Sequence, residues 1–110
     1  MKVFFHSKKL QKMCSTEKAM LTQMGQRARK LKMRLMELQA ADNLQQISRV
    51  PPPRCHELSG DRKGQFSVDL DHPYRLIFIP ADDPLPTRDD GGLDWGRVTA
   101  VEILEIADTH

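Results

Sequence analysis

Aromatic residues are scarce, at 5% of the 110 positions with one Trp, one Tyr and four Phe. A core must therefore rest on Leu, Ile, Val and Met, with the six methionines filling irregular gaps. Cysteine is scarcer still. Cys14 and Cys55 lie far apart with no C-x-x-C spacing, which gives no basis for a zinc knuckle or dithiol pair and predicts two free, buried thiols in a reducing compartment. No apolar run approaches the roughly 18 to 20 residues of a membrane span, and the apolar stretch within residues 1–6 is too short for a signal sequence. A cytoplasmic protein without a membrane partner is expected. The chain also lacks H-E-x-x-H, G-x-x-x-x-G-K-[ST], G-x-S-x-G and carboxylates clustered at metal-ligand spacing. Metal-dependent hydrolysis, nucleotide-triphosphate chemistry and serine hydrolysis thus have no sequence basis, and neither a cofactor nor a metal is expected.

What is present is short, charged and unevenly distributed. The length suits a single domain over 1–110 with one modest core. Net charge is only +2, but residues 1–34 hold ten Lys or Arg against Glu17 alone; that +9 leaves −7 for the remainder. Such a cationic segment suits a phosphate backbone, an acidic protein partner or plain solvent.

Periodicity supplies the elements. Residues 2–5 are β-prone. Leu10, Met13, Cys14, Leu21 and Met24 recur at helical spacing behind Ser7, an acceptable N-cap, which predicts a helix over 7–24. Gly25 interrupts, and Ala28, Leu31, Leu35 and Leu38 then define an apolar stripe on a helix over 26–41, completing a helical hairpin. Arg27, Lys30 and Arg34 are expected on the solvent face, available to a partner. Pro51, Pro52 and Pro53 forbid helix and form an internal connector.

After Gly64 the period becomes 2. Phe66, Val68 and Leu70 face one way, Ser67 and Asp69 the other. Asp71-His72-Pro73 supplies turn chemistry before an apolar strand over 74–79 that is interrupted only by Arg75. Residues 80–96 carry five aspartates against Arg88, too little apolar content to pack; a mobile acidic loop is expected, with Trp95 anchoring its far end. Residues 97–106 return to strand composition. The order β, α, α, β, β, β predicts an α+β domain: an antiparallel sheet of the last three strands with the helical hairpin on one face.

Metal-free acid-base chemistry at a phosphate ester needs a base for the attacking hydroxyl, cations for the charged phosphorane and an acid for the leaving oxygen. His56, at the entrance to the sheet, carries the imidazole suited to proton transfer near neutrality, though a histidine there is as readily structural. Arg75 offers a planar fork for phosphate, against a salt bridge to Asp69 or Asp108. Arg62 and Lys63, in the 60–64 turn, suit RNA backbone or solvent. His110 is the last residue, with Asp108 close enough in sequence to orient its ring, against simple fraying.

The runs Arg54-Cys55-His56-Glu57-Leu58, Gly60-Asp61-Arg62-Lys63-Gly64, Tyr74-Arg75-Leu76-Ile77-Phe78 and the stretch 101–110 resemble, in that order and over nearly the whole chain, the HigB-type toxins of the RelE/ParE superfamily. These are toxins of bacterial type II toxin-antitoxin modules. The resemblance implies a curved, mainly antiparallel sheet under two N-terminal helices, and a ribosome-dependent mRNA endonuclease (mRNA interferase). It places His56, Arg75, Asp108 and His110 at the catalytic site, with Arg62, Lys63, Arg27, Lys30 and Arg34 toward RNA. The implied partners are the ribosome, mRNA and a cognate helix-turn-helix antitoxin. Two positions depart from the family pattern: Ser59 stands where relatives commonly carry lysine, and Thr109 interrupts their Asp-Tyr-His ending. A ParE-like gyrase poison acting by binding, or a weakened binding module that keeps the fold, are the alternatives.

Overall fold

Ser7 starts the first helix as its sequence suggests, its hydroxyl accepting the Leu10 N–H at 3.1 Å. The computed structural model describes residues 1–108. Strand β1 (Lys2–Phe5) leads into α1 (Lys8–Met13) and α2 (Glu17–Met24), so the single helix expected over 7–24 is two. The cause is local. Ser15 donates its hydroxyl to the Lys12 carbonyl at 2.7 Å, and Thr16, in extended conformation, accepts the Ala19 N–H at 3.0 Å. Hydroxyl side chains offered the backbone an alternative to continuing the helix, and the chain took it.

Gly25, at φ 57°, opens a 3-10 turn into α3 (Ala28–Ala40). Ala28, Leu31, Leu35 and Leu38 are buried there as the stripe predicts. Arg34 is not on the solvent face: its side chain is only 3% exposed, with Nε donating to the Asp69 carbonyl at 2.7 Å and Nη1 to Glu37 at 2.6 Å. Counted from Leu31 and Leu38, position 34 falls at i+3 and i−4, inside the apolar stripe. Arg34 borders the same groove as Arg27 and Lys30, but its guanidinium is spent on these bonds rather than offered to a partner.

Beyond the proline connector come β2 (His56–Glu57), β3 (Phe66–Asp69), β4 (Tyr74–Pro80) and β5 (Ala100–Asp108). The fold is α+β. Its five-stranded sheet runs β1-β5-β4-β3-β2, antiparallel throughout except that β1 lies parallel to β5 at one edge. Three antiparallel strands were expected; β1 and β2 extend both sides, and the parallel β1 makes the sheet mixed. A bulge between Ile77 and Phe78 sets Phe78 opposite Ile103 rather than Leu104, which keeps both apolar side chains in the core. The core lies between the sheet and α3, where Phe66, Val68, Leu76, Phe78 and Ile103 meet the leucine stripe.

Trp95 anchors the far end of residues 81–96 as expected, and all of 83–91 except Pro86 is exposed. Trp95 sets its ring edge against Phe66 at 5.0 Å and 76°, and Pro86 is buried. Thr87 bridges Leu93 across a tight turn. Asp82 accepts hydrogen bonds from Thr99 N–H and hydroxyl and from Ala100 N–H. Partial burial tends to raise that carboxyl, but these bonds together outweigh it and hold the group below its ordinary range. Among the described residues no helix is long and apolar enough to cross a membrane.

Candidate active site

Ladder register assembles the site. His56 pairs with Ser67, Ser67 with Ile77 and Ile77 with Glu105; one step along, Asp69 pairs with Arg75 and Arg75 with Ala107. Because side chains alternate along strands, these residues share the sheet face opposite the helices. The helices secure one face and leave the other for chemistry.

His56 is delivered by a strained residue. Arg54 follows the three prolines and adopts φ 47°, a left-handed conformation uncommon for a side chain of its size. Its carbonyl lies 3.0 Å from His56 Nδ1, and a carbonyl can only accept. Nδ1 therefore carries the hydrogen of the neutral ring, and Nε2 presents its lone pair. Arg75 Nη1 stands 3.4 Å from that Nε2.

The remaining contacts close a ring. Arg75 Nε is 3.6 Å from Asp69 Oδ1, and Arg54 returns to the same carboxylate with two bonds, Nε to Oδ2 at 2.7 Å and Nη2 to Oδ1 at 3.0 Å. Arg54, His56, Arg75 and Asp69 thus brace one another. The guanidinium of Arg75 is 12% exposed, enough to meet a ligand yet shielded from most water. The Asp69 bond is also the main cause that raises the Arg54 guanidinium above its ordinary range.

A cleft of about 300 Å³ opens over this group, lined by His56, Glu57, Leu58, Ser59, Arg62 and Arg75. Arg62 reaches it from the turn after β2, held by Gln65 at 3.0 Å and Glu105 at 3.6 Å. Lys63 is exposed beside it but outside the lining. The cleft therefore gathers three of the predicted residues, His56, Arg75 and Arg62.

Asp108 is arranged differently. It pairs with Tyr74, one position past the Ala107 that faces Arg75, so register sets it toward the opposite side of the sheet. His110 lies outside the described residues. Arg27 stacks its guanidinium 3.7 Å above the Tyr74 ring and Lys30 pairs with Asp71 at 3.2 Å. Both border a basic groove of about 840 Å³ with Arg29 and His72, across the molecule's helical side, where Arg34 forms part of the wall.

The site residues that sequence reading passed over are Arg54 and, as more than a salt-bridge partner, Asp69. Their signal was alternation: Asp69 shares the period-2 face with Ser67, and Arg54 adjoins the proline run that forces an irregular backbone. Among the described residues no three His, Cys, Asp or Glu side chains come together to hold a metal ion. The atoms on offer are instead one imidazole lone pair and two guanidinium forks, a set suited to accepting a proton and binding a phosphate. No protein-family model and no curated protein matches the chain.

Proposed function

We propose that this chain is a HigB-type toxin with a RelE/ParE-like fold, an endoribonuclease that cuts mRNA on the ribosome and is neutralised by a cognate helix-turn-helix antitoxin. The observation that carries the reading is His56 set between the Arg54 carbonyl, 3.0 Å from Nδ1, and the Arg75 Nη1, 3.4 Å from Nε2. Support for the family comes from the motif order in the sequence and from an α+β domain whose sheet leaves one face uncovered by helices.

In this reading His56 Nε2 removes the proton from a ribose 2′-hydroxyl, and O2′ attacks the adjacent phosphorus. The Arg75 guanidinium, with Arg62 at the rim, bears the charge gathering on the phosphorane oxygens. The P–O5′ bond then breaks, O5′ takes a proton from an acid, and the products are a 2′,3′-cyclic phosphate and a 5′-hydroxyl. The resemblance assigns the acid to His110, with Asp108 preceding it. The ribosome supplies the alignment of mRNA that so small a cleft cannot, and Arg27 and Lys30 grip RNA backbone from the helical side.

A weakened binding module is the second reading, and Ser59 favours it. That residue lines the cleft where relatives commonly carry a cation. Inducing the protein in a bacterium and mapping transcript 5′ ends separates the readings. Cuts confined to translated codons support the nuclease, DNA damage with intact mRNA supports a gyrase poison, and normal growth supports the inactive module.

A further inference from the structure

His56 forms a wall of a second cleft. On the side away from Arg75 the surface opens into a depression of about 700 Å³, bordered by Gln45, Arg49, His56, Glu57, Arg88 and Trp95. That volume lies within the roughly 300 to 1,000 Å³ of ordinary small-ligand sites. His56 and Glu57 line both clefts, so the two openings adjoin across them.

At the far side of this cleft the Arg49 guanidinium stacks over the Trp95 indole, 4.1 Å from the ring centroid. Arg49 is itself exposed, so the outer face of its guanidinium is open to a further planar group. The indole is not a loose side chain. It meets Phe66 in a T-shaped contact, and its backbone is held in a turn in which the Trp95 carbonyl accepts the Val98 N–H at 3.3 Å and the Asp94 carbonyl accepts the Arg97 N–H at 3.0 Å. Arg88 is offered from the tip of the turn closed by Gly91 N–H to its own carbonyl at 2.9 Å.

We infer that the Arg49–Trp95 stack is a base-binding platform, taking the nucleobase next to the cleaved phosphate of a single-stranded RNA. The inference rests on the nuclease reading for its orientation, but the platform itself stands on the stack and the cleft. Aromatic rings and guanidinium planes are the usual seats for unstacked bases. The Gln45 amide, which both donates and accepts, and the Glu57 carboxylate, which accepts, stand at the margin to meet the polar edge of a base.

Trp95 is the sole tryptophan, so its fluorescence reports the platform directly. The full chain is titrated with a 2′-O-methyl oligoadenylate hexamer, which cannot be cut, and ribosome-dependent cleavage by the same preparations is assayed in parallel. Saturable quenching is expected, weakened about tenfold by Arg49→Ala, as loss of one stacking partner predicts. Arg49→Lys keeps the charge but not the plane and is expected to bind nearly as poorly. No quenching at millimolar RNA, or equal binding by wild type and Arg49→Ala, overturns the platform even if cleavage proceeds. Arg49-dependent quenching without cleavage upholds the platform and removes the nuclease reading.

Discussion

Arg75 Nη1 lies 3.4 Å from His56 Nε2, while the other ring nitrogen of that histidine is committed to the Arg54 carbonyl at 3.0 Å. The pair therefore has an assigned division of labour: one nitrogen orients and the other faces the cation. A positioned base commonly contributes about 100- to 10,000-fold to a proton-transfer step. In the proposed reaction the guanidinium adds charge stabilisation at the phosphate that this base serves.

Replacing Arg75 with Lys keeps the charge and removes the fork that spans His56 and Asp69. Cleavage on programmed ribosomes is expected to fall at least about tenfold, because an ammonium cannot face both partners and a phosphate together. Circular dichroism and thermal melting check that the fold is retained. Cleavage at the wild-type rate would show that charge alone suffices.

Asp69 ties Arg54 to Arg75, and it is 26% exposed, so its bonds are only partly screened. Asp69→Asn is expected to cost about 1–3 kcal/mol of stability in denaturant titration, the range for losing charge-assisted bonds. It also lowers cleavage, since Arg54 then no longer holds its strained backbone against the sheet. Unchanged stability would show that the ring of contacts is not a brace.

Arg34 and Lys30 separate structure from binding. Arg34→Ala leaves the Asp69 carbonyl without its donor and is expected to cost about 1–3 kcal/mol. Lys30→Ala, at the exposed pair with Asp71, is expected to change stability by less than about 0.5 kcal/mol. It instead weakens RNA binding and lowers the salt slope by about one.

The two thiols make a pH prediction. Burial pushes Cys55 from 9.0 up to about 12 and Cys14 up to about 11. The folded state therefore holds these protons more tightly than the unfolded chain. Their contribution is complete below about pH 9 and is lost as pH rises toward 11 to 12. Denaturant titrations should show stability falling above pH 9 by less in Cys55→Ala than in wild type. Thiol-specific reagents at pH 7 should label Cys55 only on unfolding.

Much of this architecture was legible from pattern. The leucine stripe of α3, the alternation through Phe66, Val68 and Leu70, and the lone cation of β4 all follow from side-chain direction along regular elements, which depends on spacing alone. His56 and Arg75 were grouped by the family resemblance rather than by spacing, because they sit on β2 and β4 and only the ladder through β3 brings them side by side. The break between α1 and α2 was hidden because helical periodicity runs through it. Only the hydroxyls of Ser15 and Thr16 mark it, and both are also tolerated within helices. Arg34 was misread since three basic residues at helical spacing suggest a solvated face, and the stripe beside them had to be given priority. In the acidic segment the Trp95 anchor was legible as the one large apolar group near its end, whereas the burial of Pro86 was not, because a single well-placed proline weighs little in an average.

The most direct test of the account is single-turnover cleavage of mRNA on programmed ribosomes by wild type, His56→Ala and Arg75→Ala, with both product ends chemically identified. The account predicts a 2′,3′-cyclic phosphate and a 5′-hydroxyl from wild type, and a loss of about 100-fold or more in each variant while the fold is retained. Cleavage at the wild-type rate by either variant, or no cleavage by wild type, would contradict it.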